Sequence, residues 1–290
     1  MHESTFSTTV HWRAVAIFTA LAFGFAWLAF GLAAVFDGLD PERSNVWTVV
    51  AGVGVAFGPA LAAMVMRFFV TREGLAEAGL RWRVAGRYYG WAILLPLAWG
   101  SAGVLLRLLV GGNTLDGFPP VQAFVGYLVS LLITWLILFG EEFGWRSYLL
   151  HYLSSLGRWR AVWLSSVVWA VWHLPFVVVP SFLIDDELGP PLLAAAGQIV
   201  FIVLLGVIIG WLYLSSRSVV VVMLLHAVSN TWGAFWDPYL AGVNPTYAQT
   251  VWMWIPPTLV VVGWLWVSGR LREPQPAPHT LWPVSPTSPI

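Results

Sequence analysis

The sequence predicts an all-α protein, a polytopic transmembrane helical bundle of about eight spans with both termini cytoplasmic. Composition, long apolar runs and the placement of arginines lead to this prediction. Of the 290 residues, 59% are hydrophobic and 10% are charged, and the mean hydropathy is +0.77. Soluble domains carry about 25% charged residues. A shortage of charge along the whole length indicates that most of the chain faces lipid.

Eight apolar runs are long enough to be spans, since a helix needs about 20 mainly apolar residues to cross a hydrocarbon core of roughly 30 Å. The seventh run is the shortest and the most polar. We predict one transmembrane domain over residues 1–272, with a motif-bearing core at about 121–235, and a proline-rich, disordered tail over 273–290. The eight runs are Val15–Phe36, Val46–Val70, Tyr89–Val110, Val121–Gly140, Ala161–Leu183, Leu192–Leu214, Val219–Phe235 and Thr250–Val267.

The arginines set the predicted orientation. All 14 basic residues are arginine, and 12 of them are counted before the first span or on the side of the connectors after even-numbered spans, including Arg67 near the end of the second span. The other side, that of the remaining connectors, keeps only Arg43 and, near the end of the third span, Arg107. The positive-inside rule therefore places both termini in the cytoplasm. Those other connectors instead hold the acids Asp37, Asp40, Glu42, Asp116, Asp185, Asp186, Glu187 and Asp237.

Composition also excludes several function classes. The sequence has no cysteine, which excludes disulfides, thiolate metal sites and a cysteine nucleophile. The formal net charge is zero, so no nucleic-acid partner is expected. The predicted partners are membrane lipid and a membrane-associated peptide or protein substrate.

The first group of unusual residues ends the fourth run, in Gly-Glu-Glu-Phe-Gly-Trp-Arg. A charged side chain at bilayer depth costs about 2.5–3.5 kcal/mol on insertion scales, so such residues are candidates for a working site. Glu142 and Arg146 are four residues apart and share one helix face. Glu141 is rotated from them by about 100°. One glutamate can therefore be held in an ion pair while its neighbour stays free to react. The alternative is an interfacial Glu–Arg pair that merely ends the span.

Two histidines form the other groups. His173 lies roughly 18 Å into the fifth run, and Trp169, one turn earlier on the same face, is interpreted as a packing residue. His226 and Asn230 are four residues apart in the seventh run, on one face. A carboxylate with a histidine can take a proton from water, and a second histidine with an amide can donate to an oxyanion. The alternatives are a structural histidine and a hydrogen-bonding seam between helices.

The three groups together resemble the CPBP family, which comprises the CAAX-processing endopeptidases and the bacteriocin-immunity (Abi) proteins. The resemblance covers roughly Val121 to Asn230, in three motifs in the right order on three spans. The family usually has phenylalanine where this chain has Trp169, which is a larger aromatic. The motifs are Glu-Glu-x-x-x-Arg (Glu141, Glu142, Arg146), aromatic-x-x-x-His (Trp169, His173) and His-x-x-x-Asn (His226, Asn230).

The resemblance implies a multi-pass intramembrane endopeptidase in the cell membrane, with its site in a cavity that faces the cytoplasm. It implies that Glu141 and His173 activate the attacking water and that His226 and Asn230 stabilise the oxyanion. The Glu142–Arg146 pair would hold the geometry of the site. Eukaryotic members of the family cleave prenylated substrates. This substrate class is not carried over to the present chain, because nothing in the sequence indicates that its cell prenylates proteins.

A metal and two other functions stay open at this point. Glu141, His173, His226 and Asn230 offer nitrogen and oxygen ligands for a divalent metal such as zinc. There is no His-Glu-x-x-His pair, and a metal-free site with glutamate-activated water is favoured slightly. The first alternative function is a non-catalytic bacteriocin-immunity or membrane scaffold protein. The second is a proton-coupled transporter, which ranks lower because no internal repeat is found.

Overall fold

A computed structural model describes residues 10–36, 38–39, 45–184, 189–242 and 247–272. The predicted proline-rich tail over 273–290 lies outside these residues, as do Arg43 and most of the acids used for the orientation. Those acids are Asp37, Asp40, Glu42, Asp185, Asp186 and Glu187. The long helices are α1 (Trp12–Val35), α2 (Val46–Val65), α3 (Gly86–Leu109), α4 (Val121–Ile137), α7 (Arg158–Ile184), α8 (Gly189–Ser216), α9 (Val219–Trp236) and α10 (Tyr247–Val267), and the short helices are α5 (Phe139–Glu142) and α6 (Leu150–Leu153).

These helices confirm the predicted class of a polytopic helical bundle. Within the described residues, seven helical segments are long and apolar enough to cross a membrane by length and composition. The eighth predicted span corresponds to α10, whose described apolar part, Trp252–Val267, is shorter. The side of the membrane on which the termini lie stays a prediction.

The fourth span continues past its predicted end at Gly140. The chain passes from α4 through α5 into a π-helix, Phe143–Leu149, and then into α6. The whole helical segment runs over Val121–Leu156. Single π-helical turns in α-helices are often found at functional sites. Because of this extension, both neighbouring glutamates lie inside the bundle rather than at its surface.

Two glycines bring this acidic segment against α2. A Cβ at Gly140 would lie 1.9 Å from the carbonyl oxygen of Ala56, and one at Gly144 would lie 2.4 Å from Cβ of Pro59. Small residues at this spacing let membrane helices approach closely. The glycine face therefore packs on α2, and the glutamates between the two glycines point in other directions.

Arg67 fastens the end of α2 to the same segment. It lies in a π-helix, Met66–Val70, and is 1% exposed, so it is a structural residue rather than the connector residue that its sequence position suggested. Its guanidinium pairs with Glu73 and donates to the carbonyl oxygen of Ser147 at 2.8 Å. The Tyr152 hydroxyl donates to the other oxygen of Glu73 at 2.8 Å. These contacts fix the π-helical segment at one end of the bundle.

At the other end of the bundle, α3 and α9 are joined. The strands β1 (Asn113–Leu115) and β2 (Leu240–Gly242) pair in antiparallel fashion, a small addition to the all-α prediction. Arg107, which is buried, pairs with Asp237 at 2.5 Å. The strands form because two connectors leave the bundle side by side and can satisfy each other's backbone groups.

Candidate active site

Glu142 is the centre of a buried ionic cluster. Its side chain is 0% exposed, and its Oε1 accepts a hydrogen bond of 2.8 Å from Nδ1 of His226. Its Oε2 lies 3.3 Å from Nε of Arg146, which is also fully buried. The contact predicted from the four-residue spacing is therefore present. A buried carboxylate needs such compensation, since an unpaired buried charge is costly.

Glu141 points away from this ion pair, as its rotation on the helix predicts. Its Oε2 accepts a hydrogen bond of 2.8 Å from Nε1 of Trp169 and lies 4.0 Å from Nε2 of His173. The Glu141 and His173 side chains are 13% and 19% exposed. The two residues thus form a second, less buried acid–histidine pair next to the first.

The hydrogen bonds assign the tautomer of His173. Its Nδ1 lies 2.9 Å from the carbonyl oxygen of Trp169. A carbonyl oxygen can only accept, so Nδ1 carries the hydrogen and the neutral ring keeps its lone pair on Nε2. Nε2 is the atom that faces Glu141. One water oxygen about 2.8 Å from both Nε2 and Oε2 fits a gap of this width.

Trp169 connects the two acid–histidine pairs. Its ring lies 4.5 Å from Cζ of Arg146, within the range of a cation–π contact. Its centroid is 5.1 Å from that of His173 and 5.2 Å from that of His226, in edge-to-face arrangements. Interpretation of Trp169 as a packing residue missed its N–H donor, which a phenylalanine in this position would lack.

Asn230 is placed apart from the other five predicted site residues. Its side chain is exposed and lines a pocket of about 390 Å³ between α4 and α9, together with Tyr127, Ser130 and Thr134. In the part of the chain that the structure describes, it makes no hydrogen bond to the cluster. Asn230 lies one turn beyond His226, about 6 Å along α9 and about 40° around it, and there the neighbouring helix is α4 and not the segment that carries the glutamates.

The predicted metal ligands do not form a metal-binding group here. Among the described residues, no three His, Cys, Asp or Glu side chains lie together in a way that could hold a metal ion. Nδ1 of His173 and Nδ1 of His226 are both engaged in hydrogen bonds, which leaves the Nε2 atoms as the available ring nitrogens. Asn230 faces the neighbouring pocket and so stands apart from the other three predicted ligands, and a divalent metal at this site stays a prediction.

Fold and site together describe a multi-pass membrane protein in which Glu141 lies beside His173 and Glu142 beside His226. Residues 122–232 match the family described as "Type II CAAX prenyl endopeptidase Rce1-like". This region is less than half of the chain but contains all six predicted site residues. The match confirms the resemblance to the CPBP family, and at family level it is the match of a CAAX-type intramembrane endopeptidase. No curated protein gives a significant match.

Proposed function

We propose that the protein is an intramembrane endopeptidase that hydrolyses peptide bonds of membrane-associated substrates, with water activated by Glu141 and His173. The observation that carries this proposal is the 4.0 Å gap between Oε2 of Glu141 and Nε2 of His173. Both atoms are free to accept a hydrogen from a water between them, because the hydrogen of His173 is on Nδ1. The sequence offers no cysteine as an alternative nucleophile.

In the proposed reaction, the Glu141 carboxylate takes one proton from the water while Nε2 of His173 accepts a hydrogen bond from the other O–H. The water oxygen bonds to the scissile carbonyl carbon and gives a tetrahedral oxyanion. The C–N bond then breaks, and the proton held by Glu141 passes to the leaving nitrogen. A carboxyl terminus and an amine are the products.

His226 and Asn230 are assigned to the oxyanion. With Nδ1–H bound to Glu142, an imidazolium form of His226 presents Nε2–H as a donor. We assign the amide of Asn230 to the same oxyanion, with the substrate in the pocket between α4 and α9 that Asn230 lines. Glu142 and Arg146 act as positioning residues, since they hold His226 and the face of Trp169.

The same pocket suggests how a substrate is held. Tyr127, Ser130 and Thr134 give it hydroxyl groups on the side of α4 that faces α9. A peptide backbone in a bilayer needs such partners, because lipid offers none. We therefore propose that this pocket holds the part of the peptide next to the scissile bond. By the arginine distribution, we place the protein in the cell membrane with its site on the cytoplasmic side.

The test uses purified full-length protein in liposomes with a library of membrane-tethered peptides, and mass spectrometry of newly formed termini. Glu141→Gln and His173→Ala should each lower the cleavage rate by about 10²- to 10⁴-fold, as expected for loss of a general base. Glu77→Gln and His11→Ala are matched controls, since Glu77 pairs with Arg81 in a connector and His11 is exposed. Thermal unfolding of each variant checks that it folds.

Two outcomes would contradict the proposal. Full cleavage by both purified variants would exclude Glu141 and His173 as the water-activating pair. A wild-type protein that binds peptides of the library but releases no product from any of them would favour the scaffold or immunity function.

A further inference from the structure

The connector between the second and third spans, residues 71–85, is bonded to both segments that carry the Glu142–His226 pair. Its residues Ala78, Gly79 and Arg81 each present a main-chain carbonyl oxygen to one of these segments. We call these three carbonyl oxygens the carbonyl clamp. One of them binds the π-helix that follows Glu142, and the other two bind the start of α9.

On one side, the clamp holds the π-helix through Ser147, the residue after Arg146. Ser147 is fully buried, and its Oγ donates to the carbonyl oxygen of Ala78 at 2.8 Å. The same Oγ accepts from the guanidinium of Arg67 at 3.0 Å. The segment that carries the glutamates is therefore fastened to the connector as well as to the end of α2.

On the other side, the clamp holds the first residues of α9. The N–H of Val219 donates to the carbonyl oxygen of Gly79 at 2.9 Å. Ser218 is the N-cap of α9, and its Oγ accepts from the N–H of Val221 at 3.3 Å. A capping hydroxyl needs only to accept, but the Ser218 hydroxyl also donates to the carbonyl oxygen of Arg81. These bonds fix the position of α9 at its first turn.

A glycine makes this arrangement possible. Gly79 has a φ of +70°, and a Cβ there would lie 2.8 Å from the hydroxyl oxygen of Tyr213. Glycine adopts such a φ without the strain that a side chain would add. The turn at Gly79 lets successive carbonyl oxygens of the connector face two different segments.

The two clamped segments meet again inside the bundle, at the 2.8 Å hydrogen bond between Glu142 and His226. Ser147 follows Glu142 by about one turn of the π-helix, and His226 lies about 12 Å along α9 from Ser218. Helices transmit a small shift at one end along their length. Because a hydrogen bond weakens steeply as its angle departs from linear, such a shift would loosen the pair.

We propose that the carbonyl clamp positions the Glu142–His226 pair, with Ser147 and Ser218 as positioning residues. Each serine acts through the helical segment that it holds. The consequence for peptide cleavage rests on the proposed function, whereas the effect on the geometry of the pair does not.

The test uses nuclear magnetic resonance of the full-length protein in micelles, labelled with ¹⁵N-histidine. An Nδ1–H bound to a carboxylate gives a downfield proton signal that exchanges slowly with solvent. The chain has six histidines, and loss of the signal in His226→Gln assigns it. Ser147→Ala should move this signal upfield and speed its exchange about tenfold, because the pair opens more often.

Ser165→Ala is the matched control. Ser165 is also buried, but its Oγ donates within α7, to the carbonyl oxygen of Val162 at 3.0 Å. The exchange of the His226 hydrogen should change less than about twofold in this variant. Ser218→Ala is a second clamp variant in case Ser147→Ala does not fold. Ser218→Thr should restore slow exchange, because threonine can cap the helix and donate as well.

The clamp is separate from a cavity of about 770 Å³ at the same end of the bundle. Neither the clamp residues nor the two serines line that cavity, so the test variants leave its lining unchanged. The arginines that line it are Arg87, Arg158, Arg217 and Arg270.

Peptide cleavage in liposomes gives a second readout. Ser147→Ala should lower kcat about fivefold with little change in KM, because the clamp sets the geometry of the pair and not the substrate pocket. Ser165→Ala should leave both constants as they are. Thermal unfolding checks that each variant is folded at the assay temperature.

Three results would overturn the proposal. The first is the absence of a downfield His226 signal in the wild-type protein. The second is unchanged exchange in Ser147→Ala and Ser218→Ala. The third is equally faster exchange in Ser165→Ala, which would indicate general loosening of the bundle. A wild-type protein that cleaves no peptide would contradict the proposed function alone, since the exchange of the His226 hydrogen still decides the role of the clamp.

Discussion

The molecule gathers charged side chains in two regions, and the two regions differ in the charges that they bring together. Around Glu142, the carboxylate faces Arg146 and His226, so opposite charge and hydrogen bonds come from within the chain. In the cavity at the end of the bundle, four arginines meet without a carboxylate among the described residues that line it. The first region therefore combines buried charges of both signs, whereas the described residues that line the second carry charge of one sign.

The two regions also differ in how they are built. In the first, Glu142 and Arg146 are neighbours on one helical segment, so the pair forms with the helix. In the second, the arginines come from four helix ends that are distant in sequence. An internal pair suits a site whose geometry must be fixed before substrate arrives.

The largest expected effect is that of breaking the internal pair. Arg146→Ala leaves Glu142 buried and short of one partner, which should lower the free energy of unfolding by about 3–5 kcal/mol. Denaturant unfolding in micelles measures this loss. Arg270→Ala, measured in the same micelles without anionic lipid, is the matched control and should lose far less. Equal losses in both variants would remove the distinction between the two regions.

The next largest effect concerns the packing of the segment that carries Glu141 and Glu142 against α2. Gly140→Ala adds a Cβ that would lie 1.9 Å from the carbonyl oxygen of Ala56, so the helices must separate. We expect a loss of about 1–3 kcal/mol, typical of overpacking. Gly126→Ala on α4 is the control, since a Cβ there has no neighbour within 4 Å. Equal stability of the two variants would contradict the close packing.

Much of the fold could be predicted because apolar runs and spacing are local features. The span positions follow from length and hydropathy, and the Glu142–Arg146 contact follows from helix geometry. The continuation of the fourth helical segment past Gly140 could not be predicted in this way, since the charged residues there suggest that the span ends. The Gly140–Gly144 spacing was an available signal for close packing and was missed.

Contacts between helices that are far apart in the sequence could not be predicted from the sequence. The bond from Trp169 to Glu141 depends on how α5 and α7 approach each other, and no local pattern specifies that approach. Arg67 looked like a connector residue because its partner Ser147 lies on another segment. The separation of Asn230 from His226 has the same origin, because a shared helix face does not guarantee a shared neighbour.

A smaller effect tests the link between the internal cluster and Glu141. Trp169→Phe keeps an aromatic ring but removes the N–H that donates to Glu141. Without that donor, the Glu141 carboxylate is no longer held in position beside Nε2 of His173, so kcat should fall about tenfold, with little change in KM. Peptide cleavage in liposomes measures both constants.

Trp172→Phe is the control for this experiment. Trp172 also contacts the ring of His173, with centroids 4.7 Å apart, but its Nε1 is buried without a hydrogen-bond partner among the described residues. The same ring reduction there removes no hydrogen bond to Glu141. Equal losses of kcat in both variants would show that ring volume, rather than the N–H of Trp169, controls the rate.

The smallest expected effect separates the two regions most clearly. Arg270→Gln removes a positive charge from a cavity whose described lining contains no acid, and this gain offsets the loss of stacking on Trp264. The free energy of unfolding should therefore change by no more than about 0.5 kcal/mol. Denaturant unfolding in neutral detergent measures the change. A loss of several kcal/mol would mean that Arg270 is held as firmly as Arg146, and the two regions would then not differ in how their arginines contribute to stability.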